Sequence, residues 1–198
     1  MTQNRIFSKL LLLVLFAPLL QGCMAAAAGS AATGTVMVTD RRTAGTIMDD
    51  KTAEFKAIHT LSLNKSLWKQ SHITPISYND VVLLVGQTPT AEFKREAEEA
   101  VSSIPKIRRV HNELTVAEPI SLAARAHDSW VTTQIKAKLV GHKEISATRI
   151  KVVTEDSIVY LMGLVTQEEA EIATEIARAI KGVEKVIQIF EPYLITVK

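Results

Sequence analysis

The chain offers little from which to build a conventional active site or a crosslinked scaffold. It has one cysteine in 198 residues, so no disulfide can close within it and no thiolate cluster can hold a metal. The five histidines, His59, His72, His111, His127 and His142, show no metal-ligand spacing. Formal net charge is +2, and no run of Lys and Arg is long enough to form a phosphate-tracking stripe, which argues against a nucleic-acid partner. Gly86 and Gly163 are isolated, which excludes a phosphate-cradling loop; each reads as easing a strand-to-helix turn. His127-Asp128-Ser129 contains the residue types of a catalytic triad, but triads form in space and adjacent side chains point apart. Asp128 is better read as a helix N-cap. Catalysis, a metal and a cofactor are not expected.

A membrane-spanning run is missing too. Leu10 to Leu20 is apolar, about half of the ~20 residues a spanning helix needs. Arg5 and Lys9 precede it, so residues 1–22 read as a signal peptide. Leu20-Gln21-Gly22-Cys23 then resembles the bacterial lipobox. That resemblance implies cleavage before Cys23 and acylation of it, including palmitate. Each buried methylene contributes ~0.8 kcal/mol, so several chains hold firmly where one holds marginally. Met24, where a retained lipoprotein would carry Asp, implies transfer to the outer membrane, facing the periplasm. Residues 23–45 are rich in Ala, Gly, Ser and Thr and read as a flexible tether.

The remainder repeats itself. Val82-Leu83-Leu84-Val85-Gly86 matches Val159-Tyr160-Leu161-Met162-Gly163. A helical stretch follows each, from Thr90 and from Thr166, with Thr166 and Glu169 spaced as a capping box. Ile104-Pro105-Lys106-Ile107 then aligns with Ile180-Lys181-Gly182-Val183, with Pro105 read as standing in for the glycine. Ahead of each copy lies a helix, from Asp50 and from Asp128, and then a strand. Asn79-Asp80 and Asp156-Ser157 supply the strand turns. Each unit therefore reads helix, strand, strand, helix, strand, an α+β fold, over residues 46–117 and 122–192.

These residues carry a further resemblance. A strand ending in Leu-x-Gly, an Ala-rich helix and Gly-Val-x-x-Val together resemble the BON domain. Two such units behind a lipobox resemble the dual BON-domain outer-membrane lipoprotein family of the DolP type. The family implies a non-enzymatic protein that binds anionic phospholipid through its second domain and maintains envelope integrity under stress. The alternative is a periplasmic adaptor for outer-membrane assembly, cell-wall or cell-division proteins.

The helix opening the second unit supplies a candidate contact face. At 3.6 residues per turn, Val131, Ile135 and Leu139 share one stripe and should face the sheet. Trp130, Thr133, Ala137 and Val140 fall opposite, uncharged, with Lys136 and Lys138 beside them. No acidic residue occurs between Ser129 and Lys143. A tryptophan beside cations suits the headgroup layer of an anionic bilayer. The competing reading packs Trp130 against the other domain. In the first unit Thr52 takes the Trp130 position, and Phe55 and Ile58 read as core residues of a shifted stripe.

Overall fold

Helix caps set the start of every major helix, and two begin earlier than the apolar spacing alone suggests. The computed structural model describes residues 40–194; the signal peptide, Cys23 and most of the tether lie outside them. Helix α1 (Ala44–Leu63) starts at Thr43, whose hydroxyl accepts the Thr46 N–H at 3.0 Å. A short α2 (Lys65–Gln70) follows, capped by Asn64. Helix α4 (Leu122–Val140) starts at Ser121, which accepts the Ala124 N–H at 3.1 Å. Asp128, expected to cap that helix, therefore lies inside it. Helix α3 (Ala91–Ser102) begins at Thr90, and α5 (Gln167–Arg178) at Thr166 with both capping-box bonds formed. Each cap satisfies an N–H that the first helical turn cannot satisfy internally.

The strands pair identically in both units. Strands β1 (His72–Tyr78) and β2 (Val81–Thr88) form an antiparallel hairpin, with Ile73 opposite Gly86. Strands β5 (Ile150–Glu155) and β6 (Ile158–Val165) repeat it, with Ile150 opposite Gly163. Asn79 and Asp80, and Asp156 and Ser157, all have φ of 50–62°. Two consecutive left-handed residues make the tight hairpin turn whose twist matches paired strands. After α3 and α5, β3 (Arg109–Asn112) and β7 (Lys185–Pro192) lie parallel to the central strands. A two-residue β4 (Thr115–Val116) extends the first sheet.

Gly86 and Gly163 lie within strands and not at the strand-to-helix turns expected of them. A Cβ on Gly86 would sit 1.9 Å from the His72 carbonyl oxygen, and one on Gly163 2.5 Å from that of Arg149. Their role is to let the start of the preceding strand pass close to the central one.

Each sheet is covered by its own helices on one face. Val82 and Leu84 pack with Ala57, Leu61, Ala97 and Val101. Val159 and Leu161 pack with Val131, Ile135, Ala173 and Ala177. The opposite faces meet each other: Ile76, Tyr78, Leu83 and Val85 join Tyr160, Met162 and Ile189 in a third core. Alternate residues of β2 thus serve two cores, which is why all eight are buried. Helices, sheet, sheet and helices stack as four layers. Burial of such side chains contributes about 1.5–3 kcal/mol each.

Polar contacts rim this sheet-to-sheet interface. Tyr78 donates to the Arg149 carbonyl at 2.9 Å, Gln87 to Glu155 at 2.8 Å and Asn79 to Glu191 at 2.7 Å. Lys151 donates to Glu54 and to the Ser77 carbonyl. The expected tether is corrected at its end. Arg42 donates to Asp40 and Asp50, Arg41 reaches Glu169, and α1 has begun by Ala44. Charged side chains with fixed partners hold residues 40–43 in the fold, although the local composition reads as linker.

Candidate membrane-contact surface

A buried carboxylate positions the first helix of each unit. Asp128 is 4% exposed, and its oxygens accept the Asp156 and Ser157 N–H groups at 2.9 and 3.0 Å. Asp50 does the same for Asn79 and Asp80 at 2.8 and 3.0 Å, and also takes the Ser77 hydroxyl at 2.7 Å. The aspartate thus fastens the helix to the hairpin turn, an end that its sequence position alone did not reveal. It also removes the one acidic side chain of α4 from the surface.

The expected inward stripe of α4 is inward: Val131, Ile135 and Leu139 are buried. Trp130, Thr133, Lys136, Ala137, Lys138 and Val140 are all exposed. Val140 is 74% exposed and Trp130 48%. Trp130 takes no part in the core between the sheets. It stacks instead on His127, with ring centroids 5.7 Å apart and planes at 27°. His127 rests over Gly182, where a Cβ would fall 2.5 Å from its Nε2. Gly182 has φ +94°, which glycine adopts at little cost. Gly182, His127 and Trp130 form a supporting series for the exposed indole.

Sequence spacing missed the upstream part of this face. Because the helix starts at Leu122, that residue joins the outward stripe, 81% exposed and level with Val140 on the helical wheel. The Ser121 cap was the available signal. The face then spans about 27 Å of helix axis at 1.5 Å per residue. Among the described residues, neither Lys136 nor Lys138 takes part in an ion pair. Their charge is directed to solvent.

The first unit differs at each equivalent position. Lys106, not Pro105, occupies the place of Gly182, with φ +75°. Its ammonium bonds Asp49 at 2.9 Å, so an ion pair replaces the histidine over glycine. Thr52 in the Trp130 position is exposed and donates to the Met48 carbonyl at 2.9 Å. Phe55 and Ile58 are corrected as core residues: they are 72% and 40% exposed, and Ala57 and Leu61 face the sheet. Burial alone would raise the Glu54 carboxyl pKa. Hydrogen bonds from Lys151, Lys51 and the Ser77 N–H outweigh that and hold it below the ordinary value.

Comparison with known proteins follows this two-unit division. The sequence profile of the BON domain matches residues 49–118 and 127–191. The chain is 41% identical over 172 residues to the outer membrane lipoprotein DolP of Haemophilus influenzae, covering 87% of this chain and 89% of that one. It is 37% identical over 150 residues to a 21 kDa hemolysin of Actinobacillus pleuropneumoniae, covering 76% and 77%. It is 30% identical over 145 residues to the osmotically-inducible protein Y of Escherichia coli K12, covering 72% of each. With both units matched and the likeness to a named lipoprotein running nearly end to end, the chain belongs to the family of dual BON-domain outer-membrane lipoproteins of the DolP type.

Proposed function

We propose that the chain is a non-enzymatic lipoprotein, anchored through acylated Cys23, that binds anionic phospholipid with the outward face of α4 and thereby supports envelope integrity. One observation carries this reading. Trp130, Thr133, Ala137 and Val140 make an uncharged exposed face, with Lys136 and Lys138, which form no ion pair among the described residues, beside it and no exposed acid on the helix. Tryptophan partitions to the headgroup level. Each nearby lysine adds ~1 kcal/mol of attraction to an anionic leaflet. The acyl anchor raises the local lipid concentration, so even weak docking is populated.

Residues 39–198 form one compact unit, which can be studied without the anchor. This fragment should co-sediment with phosphatidylglycerol-containing vesicles and not with phosphatidylcholine ones. Trp130→Glu should abolish the association. Retention of full binding by that variant would remove α4 as the docking face.

The apolar surface of α1 favours a second reading, a periplasmic adaptor for outer-membrane assembly or cell-division proteins. Met48, Phe55 and Leu63 are 67%, 72% and 64% exposed. Phe55 borders a groove of about 450 Å³ closed by Ile104 and Pro105. Failure of the fragment to bind any anionic vesicle would select this reading over the first.

A further inference from the structure

The outer edge of the second sheet is open where that of the first is closed. Strands β3 and β7 are matched edge strands, each paired on one side only among the described residues. Asn112 of β3 lies opposite Leu84, and Gln188 of β7 opposite Leu161, so the two amides hold equivalent positions. Asn112 ties its edge to the helix above: its Nδ2 donates to the Lys94 carbonyl at 2.8 Å and to the Glu98 carboxylate at 3.0 Å. Counted from the Thr90 and Thr166 caps, Ala170 and Thr174 take the places of Lys94 and Glu98. The Thr174 hydroxyl itself donates to the Ala170 carbonyl at 2.7 Å, and no carboxylate replaces that of Glu98. Gln188 is exposed and takes no hydrogen bond among the described residues.

Space remains where that tie is missing. A cavity of about 330 Å³ separates β7 from the start of α5, with Gln188, Phe190 and Pro192 on one wall and Thr166, Gln167 and Ala170 on the other. No charged side chain lines it. A second cavity, of about 390 Å³, lies beside Val186 at the start of the strand. The charged side chains Arg178, Glu184 and Lys185 are confined to that end. Val186, Gln188 and Phe190 alternate onto the helix side of the sheet, so a trough follows that side of β7. Strand β7 has eight residues against four in β3, long enough to pair a further strand. Helix α5 packs on β6 and β7, and α4 on β5, so the trough lies along the edge away from α4.

An unpaired strand edge presents backbone donors and acceptors that template another strand. A groove beside it receives every second side chain of that strand. We propose that β7 and the start of α5 form a peptide-binding groove, which takes an extended segment of a partner protein by strand addition, with uncharged side chains at alternate positions entering between Gln188 and Ala170. The uncharged lining selects the chemistry, since a buried ammonium or carboxylate there would meet no opposite charge. Positions of the segment that face away from α5 stay at the surface and can carry charge. The groove is independent of the α4 lipid surface and of the apolar surface of α1, so it operates whether or not either of those does.

The test is amide NMR of residues 39–198 titrated with an end-blocked peptide, Lys-Leu-Thr-Gln-Thr-Val-Lys, whose second, fourth and sixth residues are the uncharged ones meant for the trough. Amides of residues 186–192 and of Gln167 and Ala170 should move along one saturable curve, and amides of β7 should exchange more slowly with peptide bound. Gln188→Trp, which fills the trough from an exposed position, and Gln188→Lys, which puts a charge in it, should each weaken binding about tenfold. Gln188→Ala should bind as the unaltered protein does. A peptide of the same composition without the alternation, Leu-Val-Gln-Thr-Thr-Lys-Lys, should not saturate. Absence of saturable shifts, equal shifts at β3, equal binding of the second peptide, or full binding by both Gln188→Trp and Gln188→Lys would each overturn the proposal. Sedimentation showing that the fragment pairs with itself through β7 would also overturn it, with a second copy as the occupant. Loss of vesicle binding in Trp130→Glu with these shifts intact would leave the groove standing beside the lipid surface.

Discussion

Arg41 grips Glu169 across 128 positions of sequence, with its two terminal nitrogens bonded to the two carboxylate oxygens. The same guanidinium donates to the Leu164 carbonyl at 2.9 Å and lies 4.0 Å from the centroid of the Tyr193 ring. Arg149 donates to Glu169 at 2.7 Å, and the Thr166 N–H at 2.8 Å. The residues leading into the first domain are therefore fastened to the second.

This predicts a specific acid response. Burial would raise the Glu169 carboxyl, but the bonds from Arg41, the Thr166 N–H and Arg149 outweigh it and lower the pKa below the ordinary 4.5. A depressed folded value contributes stability above the unfolded pKa and loses it as pH falls through the folded one. Glu169→Gln should lower stability by about 2 kcal/mol at pH 7. The deficit should shrink as pH drops below 4.5. Urea titrations of both proteins at a series of pH values check this. A constant deficit down to acid pH would mean that the charge is not the source.

Glycine substitutions should separate two kinds of crowding. Gly86→Ala meets the His72 carbonyl oxygen at 1.9 Å and has φ +120°, so it is both clashing and strained. It should cost about 3 kcal/mol or more. Gly163→Ala meets the Arg149 oxygen at 2.5 Å without positive φ, and should cost less. Thermal melts of the two variants provide the ranking.

Asp128→Ala should remove the acceptor of the Asp156 and Ser157 N–H groups. Two turn donors lose their partner, which costs about 2–4 kcal/mol in total. Asp50→Ala should cost more, because it also strands the Ser77 hydroxyl and removes one of the two carboxylates bonded to Arg42. Hydrogen exchange at residues 156 and 157 should speed up before global unfolding does in the first variant.

The proposed docking face should be dispensable for folding. Trp130→Ala removes a side chain that is nearly half exposed and stacked on His127, so stability should fall by less than about 1 kcal/mol. Leu83→Ala, which opens the core between the sheets, should cost about 2–5 kcal/mol. Vesicle binding should respond the opposite way, lost in the first variant and kept in the folded fraction of the second. It should also weaken with added salt, since Lys136 and Lys138 act through solvent.

Much of this architecture was legible in the residues. The alternation of Val82 and Leu84, and of Val159 and Leu161, marked both central strands, and Asn79-Asp80 and Asp156-Ser157 marked both hairpin turns. The inward and outward stripes of α4 followed from a single period. The packing of sheet on sheet was not legible. Leu83, Val85, Tyr160 and Met162 are apolar on the far face, and that alone fits a fully buried strand in any setting. Asp128 misled because aspartate at a helix start is a favoured N-cap, whereas here it caps a distant turn from mid-helix. Phe55 misled because it lies two residues from Ala57, on nearly the opposite side of α1, and Ala57, the true core residue, carries a weak hydrophobic signal.

The shared core between the sheets has a consequence for how the repeat can evolve and fail. A domain of this kind, cut free of its neighbour, would present Ile76, Leu83 and Val85, or Tyr160, Met162 and Ile189, to water. Such a face is adhesive. Duplication here has made each copy the other's shield, and a lesion in either leaves its twin with a greasy flank to hide. Loss of one half would then yield clumping rather than a working remnant.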